Sequence, residues 1–345
     1  LKKSKIIFLI VGVLILIILF RAFQRETIDY ISRLGWEFWA WKFWVIVAIF
    51  LGNHIFLTYG WRVLINLPVS AGQFARMVLA RIAGDSTGAI NTLGAMAGEP
   101  LKALYIRDFI PFKTGLASVV LDRTIHTISN VLLVLTGIFI GFFVLNIPLY
   151  ATGLTFVLFT LMLAVMVAVL YRQREGFMEY IIRRFPAFIT GRFMTEERWQ
   201  KVRSLDGEIG YIFSSRDTLR HFYLSLAIHY VPVLISGFLE VYLIITFTGV
   251  HITMVHALFV YIFGLFLTSA IFFMPANLGT SEGSFSLALS LLGYDPALGL
   301  SVGIIRRLRS FVWSGVGILI LLYAGLLKKE VSHAEEKNIQ DPESR

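Results

Sequence analysis

The sequence predicts an all-α polytopic membrane protein with about seven full spans, two re-entrant or broken helical hairpins, and an inverted repeat. Three observations lead there. Of 345 residues, 57% are hydrophobic and only 15% charged, whereas a soluble domain carries about 25% charged residues. Apolar runs of bilayer-spanning length recur along the chain. A Gly-rich stretch, Asn91-Thr92-Leu93-Gly94-Ala95-Met96-Ala97-Gly98-Glu99-Pro100, is echoed by Asn277-Leu278-Gly279-Thr280-Ser281-Glu282-Gly283. Each begins at Asn and ends near a Glu that opens an apolar segment, and an Arg follows 24 residues later, Arg123 after Glu99 and Arg306 after Glu282. Two matching Glu…Arg units in so apolar a chain mark an internal repeat.

Composition also excludes. The chain has no cysteine, so disulfides and thiolate metal sites are ruled out. The formal charge of +9 belongs to cytoplasmic loops at the anionic leaflet. No basic residues gather on a soluble face, so nucleic acid is not an expected partner.

Lys2, Lys3 and Lys5 precede the apolar run 6–20. That outline is shared with secretory signals, but Arg21 follows directly with no small-x-small site. An uncleaved first span with a cytoplasmic N-terminus is expected. Residues 21–42 carry mixed charges, and Trp36, Trp39 and Trp41, with Trp44, suit an interfacial segment. Residues 43–61 form the next span, with Asn53 and His54 near its middle; interhelical hydrogen bonding is their default role.

Between Pro68 and Lys113 there is no clean apolar run. Arg76, Arg81, Asp85, Asn91, Glu99, Lys102 and Arg107 interrupt short apolar pieces. That is the pattern of half-helices buried in protein. Gly84, Gly88, Gly94 and Gly98 allow turning and close helix approach. Spans follow at 116–145 and 149–171. Residues 172–220 hold ten Lys/Arg and seven Asp/Glu, which places this insert in the cytoplasm, with amphipathic helices on the inner leaflet. Spans at 222–247 and 255–274, a Gly-interrupted arm at 277–293 and a last span at 298–327 complete a single transmembrane domain, 1–330. Residues 331–345 are polar and expected to be a disordered cytoplasmic tail. With both termini and the 172–220 insert inside, the two hairpins have opposite orientations, which defines the inverted repeat.

Glu99 and Glu282 are the sharpest chemical signals, because an ionisable residue at membrane depth is costly unless paired. They either contact a polar headgroup or carry a proton, or they cap the helices that follow, with Pro100 at a first helical position and Ser281 as an N-cap. Arg123 and Arg306 need a carboxylate or phosphate. Pseudo-symmetry favours pairing Glu99 with Arg306 and Glu282 with Arg123. Arg307 and Arg309 read equally well as membrane-edge residues. Asp122 and His126 share a helix face beside Arg123 and suggest an Asp-Arg-His packing network, with a proton relay as the alternative. Glu240 and His229 share a face 11 residues apart, too far to touch one another. Gly279-Thr280-Ser281-Glu282-Gly283 has the letters of a nucleophile elbow, but the only later histidine is His333 in the tail. No metal-ligand, P-loop or dinucleotide motif occurs, so no cofactor is expected and the chain does not read as an enzyme.

The Gly98-Glu99-Pro100-Leu101-Lys102 run is similar to a Gly-Glu-Pro-x-Arg/Lys signature. The Pro275-Ala276-Asn277-Leu278-Gly279-Thr280-Ser281-Glu282-Gly283 run is similar to a Pro-Gly-x-Leu-Gly-x-x-Glu-Gly signature, with Ala276 in place of its Gly. Together with Arg123 and Arg306, they resemble the flippase-like family named for the transmembrane region of lysylphosphatidylglycerol synthase, which includes hopanoid-biosynthesis-associated membrane proteins. The resemblance covers roughly residues 5–327. The family's bacterial synthases add a soluble aminoacyl-transferring domain, which this sequence does not show.

The resemblance implies lipid handling. The leading expectation is movement of an amphipathic lipid or lipid-linked intermediate between leaflets of a bacterial inner membrane. Glu99, Arg123, Glu282, Arg306, Asn91, Asn277 and Asp122 are the candidate substrate contacts. An anionic phospholipid, a glycolipid or a hopanoid is the candidate partner. The alternatives are a membrane-embedded lipid-modifying transferase and a scaffold of a lipid-synthesis complex.

Overall fold

The long apolar stretches become long helices, one of them running through Pro232, and the two Gly-rich motifs become helices of 12 residues. This is the pattern of the computed structural model, which describes residues 21, 28–65, 67–90, 94–145, part of 153–171, 177–184, 195–212, 216–271 and 277–340. No strand occurs among the described residues. The expected first span at 6–20, Asn91, Asn146, Pro275 and Ala276 lie outside them, as does most of the span at 149–171.

Among the described residues, the helices of seven or more residues are α1 (Phe43–Val63), α2 (Ala71–Ile90), α3 (Gly94–Tyr105), α4 (Phe112–Phe139), α5 (Phe177–Arg183), α6 (Glu196–Ile212), α7 (Arg216–Phe247), α8 (Met254–Ala270), α9 (Thr280–Leu291) and α10 (Pro296–Gln340). Three stretches among the described residues are long and apolar enough to cross a membrane: Gly35–Val63, Phe112–Val144 and Leu219–Phe247. By contrast α3 and α9 have 12 residues each. At about 1.5 Å per residue each is far shorter than a bilayer core of about 30 Å.

Ahead of α1, a π-helical turn at Phe38–Lys42 seats Phe38, fully buried, against Phe247 at the end of α7. Trp36, Trp41 and Trp44 remain outward, as the interfacial reading of this segment anticipates. The Tyr30 hydroxyl donates to Asp295 Oδ2 at 3.0 Å, tying this segment to the approach to α10.

Packing among the helices is reciprocal. α2 packs on α3, and α8 on α9; α3 packs on α4, and α9 on α10. α2 also lies against α10, α8 against α4, and α1 against α7. Small residues permit the closest approaches. A Cβ on Gly98 would fall 2.2 Å from the Gly84 carbonyl oxygen, so α2 and α3 meet backbone to backbone. A Cβ on Gly303 would fall 2.8 Å from Glu282 Cα, which is how α10 reaches α9. Between the arms lies an apolar core that includes Ile46, Val241, Ile244, Val260, Leu298 and Ile305.

The charged insert supplies α5 and α6, and α6 packs on both α5 and α4. Asp206 is buried there and accepts the Glu179 backbone N–H at 2.9 Å. At the C-terminal end, α10 does not stop near residue 327. Its backbone continues helical past Lys328 and Lys329 to Gln340, through ten residues of the segment read from composition as a disordered tail.

Candidate functional site

Charges at membrane depth stay only if other helices bring partners to them. The described residues gather theirs in two networks.

The first joins α1, α2, α3, α4 and α7. One Arg81 nitrogen, Nη2, donates to both Asp122 oxygens at 2.7 Å and to the Leu57 carbonyl at 3.0 Å. Arg81 and Asp122 are each 3% exposed, and the Arg81 guanidinium stands 5.8 Å from the Trp61 ring centroid. Trp61 is itself anchored by donating to Ser118 Oγ at 2.9 Å. His229 of α7 sets Nε2 at 3.0 Å from Asp122 Oδ1. Beside this triad, Lys102 Nζ bridges Asp85 Oδ1 at 2.8 Å and Glu99 Oε2 at 3.2 Å. His54 Nδ1 lies 3.6 Å from Asp85 Oδ2.

The second network joins α7, α9 and α10. Glu240, fully buried, meets Arg306 Nη1 and Arg309 Nε, each at 2.7 Å. The Arg306 guanidinium lies 4.7 Å from the Phe285 ring centroid, and that of Arg309 lies 3.2 Å from Phe50. Arg307 Nε donates to Glu282 Oε1 at 2.5 Å, and its Nη2 donates to the Asn277 carbonyl at 3.1 Å. His54 and Trp313, ring centroids 5.2 Å apart, stand between the two networks.

Several expectations change against this geometry. Glu99 pairs with Lys102, not with Arg306. It also does not open a helix: α3 begins at Gly94, so Glu99 and Pro100 lie inside it. Glu282 does serve as a helix-start residue. Its Oε2 accepts the Gly279 N–H at 3.0 Å, while its other oxygen holds Arg307. The N-cap is Gly279, at φ +75°, rather than Ser281; glycine tolerates that left-handed backbone where serine is strained. Arg306 pairs with Glu240, and Glu282 with Arg307 instead of Arg123. Arg123 is exposed on α4 and has no ion pair among the described residues. Asp122 does sit in an Asp-Arg-His network, but its partners are Arg81 and His229 rather than Arg123 and His126. Asn277 is exposed at φ +51° and contributes its backbone carbonyl.

Arg81, Lys102, His229, Glu240, Arg307 and Arg309 are members that spacing within single helices does not single out. Each pairs across helices or with a neighbour whose direction only the fold sets. The usable signal was their charge alone: each is ionisable and interrupts an apolar stretch.

An all-helical membrane protein whose short, Gly-linked helices hold buried ion pairs between long spans is the class that fold and site define. The model of the lysylphosphatidylglycerol synthase TM region family matches residues 6–317, and the chain belongs to that family. No curated protein matches, and no solved structure matches.

Proposed function

We propose that this protein moves an amphipathic lipid, or a lipid-linked intermediate, between the leaflets of a bacterial inner membrane, without chemical conversion of it. The observation that carries this reading is the reciprocal packing of two helix sets, each with a charged network at membrane depth. Exchanging α1–α4 for α7–α10 leaves the pattern of packed pairs unchanged. An inverted-repeat transporter has that property, with its site between the repeats. The short α3 and α9 then act as arms of two re-entrant hairpins of opposite orientation, with both termini cytoplasmic.

Charge supports a polar headgroup as the cargo. In the second network, among the described residues, Arg306 and Arg309 share the single carboxylate of Glu240, two positive charges against one. Arg306 and Arg307 keep 16% and 17% of their side chains exposed, so both remain reachable. Membership of a lipid-synthase membrane-region family points the same way. An anionic phospholipid, a glycolipid or a hopanoid is the expected class of partner.

The test is native mass spectrometry of lipids retained by the full chain after gentle extraction, comparing wild type with Arg306→Gln. A preferred headgroup class on wild type that is lost from the variant supports the reading. Indiscriminate retention by both proteins favours a scaffold, and a headgroup altered during incubation favours a transferase.

A further inference from the structure

Both ring nitrogens of His229 face acceptors. Nδ1 lies 2.8 Å from the Ser225 carbonyl oxygen, which can only accept. The Ser225 hydroxyl lies 3.5 Å from Nδ1 and donates to the Gly60 carbonyl at 2.9 Å, so it turns its oxygen rather than its hydrogen to the ring. Nε2 lies 3.0 Å from Asp122 Oδ1. Both Asp122 oxygens accept from Arg81, so that carboxylate has no proton of its own to offer. A neutral imidazole has one N–H and one lone pair. Either neutral tautomer would point that lone pair at an oxygen acceptor. The ring packs closely on α1, where a Cβ on Gly60 would fall 2.6 Å from Nδ1 and Cε1.

We propose that His229 and Asp122 form a proton-binding site, occupied in this conformation, in which the imidazolium donates from Nδ1 to Ser225 and from Nε2 to Asp122. The surrounding charges are in keeping with it: Arg81 and Lys102 stand against Asp85, Glu99 and Asp122, with His54 also beside Asp85.

The facing groups on every packed element are consistent with this assignment. α4 offers Asp122 and, at a ring distance of 6.2 Å, His126. α1 offers Gly60 at the ring, with its His54 turned to Asp85. On α7 itself Glu240 is taken by Arg306 and Arg309 of α10. On α8 the Tyr261 hydroxyl donates to the Val233 carbonyl at 3.0 Å.

Releasing the proton has a defined consequence. The Nε2–H bond breaks, the proton passes to water, and the lone pair left behind faces the Asp122 carboxylate. An attraction joining α4 to α7 becomes a repulsion. Those two helices belong to different halves and also meet through Thr136 and Tyr230 at 2.8 Å, so protonation strengthens or weakens one of the contacts between the halves. Coupling of that change to lipid movement rests on the function proposed above; the proton site does not.

The test is nitrogen NMR of the full chain carrying labelled histidine in lipid nanodiscs. The His229 signal is assigned by its loss in His229→Gln or, should that variant not fold, by eliminating the other six histidines one substitution at a time. At neutral pH the His229 ring is expected to carry a proton on each nitrogen, one facing the Ser225 carbonyl and one facing Asp122, and a singly protonated ring overturns the site. Coupling is read in vesicles of phosphatidylglycerol and phosphatidylethanolamine under an imposed pH gradient. Faster lipid movement in one direction of the gradient supports it. Movement indifferent to the gradient overturns coupling alone and leaves lipid movement standing. No movement of any lipid removes both, while the NMR result stands by itself.

Discussion

At the scale of single residues, the first network concentrates its energetics in Arg81 and Asp122. Their side chains are both 4% exposed, so removing one charge strands the other in protein. Such a loss costs about 3–5 kcal/mol, much of it the penalty on the abandoned partner. Arg81→Gln and Asp122→Asn are each expected to lower thermal stability in detergent strongly, and the double variant by much less than their sum. Glu99 and Arg306 share no partner, and that pair is expected to be additive within the few tenths of a kcal/mol typical of independent sites. Strong coupling between Glu99 and Arg306 would contradict the ion pairs described here. Two further variants separate the roles of the motif acids. Glu282→Gln is expected to destabilise more than Glu99→Gln, because Glu282 both caps α9 and holds Arg307. Lys102 keeps Asp85 when Glu99 is neutralised.

Among elements, backbone approach decides more than side-chain chemistry. α2 and α3 meet through Gly84 and Gly98 with no room for a Cβ, and neither backbone can yield as a flexible side chain would. Gly98→Ala is therefore expected to cost about 1–3 kcal/mol as an overpacking change, read as a fall in melting temperature, while Gly72→Ala, which meets open space, leaves it unchanged. In the insert, hydrogen bonds from Arg183, and with them Arg203, hold the Glu179 carboxyl below the usual carboxylate range. A depressed carboxyl stabilises the folded form above its ordinary pKa and loses that contribution as pH falls through the depressed value. Hydrogen exchange at α5 and α6 is thus expected to quicken on acidification below about pH 4 and to be unaffected between neutral and mildly alkaline pH. Both short motif helices were legible from Gly-rich sequence, but their starts were not. A Gly-rich run contains several positions able to begin a helix, and the fold places Glu99 inside α3 but Glu282 in the first turn of α9.

Across the whole molecule, the helical class and the family could be read from composition and two motifs, whereas the partners of the charges could not. Periodicity places residues on one face of their own helix, as with Glu240 and His229, but pairing depends on which helix lies opposite. Here that helix is α10 for Glu240 and α4 for His229, and no local pattern encodes either. The proposed orientation makes its own prediction in this cysteine-free chain. Single cysteines at Ser204 and Asn146 are expected to label from opposite sides of the membrane, and labelling from one side would remove the opposed hairpins.

The central claim, lipid movement between leaflets, is tested most directly in proteoliposomes that carry a trace of lipid fluorescent at its headgroup and a quencher added outside. Separate preparations carry a phospholipid, a glycolipid and a hopanoid derivative. For at least one lipid, the quenched fraction is expected to rise above that of protein-free vesicles, and to return toward it with Arg306→Gln. Quenching that matches protein-free vesicles for all three lipids would contradict the account.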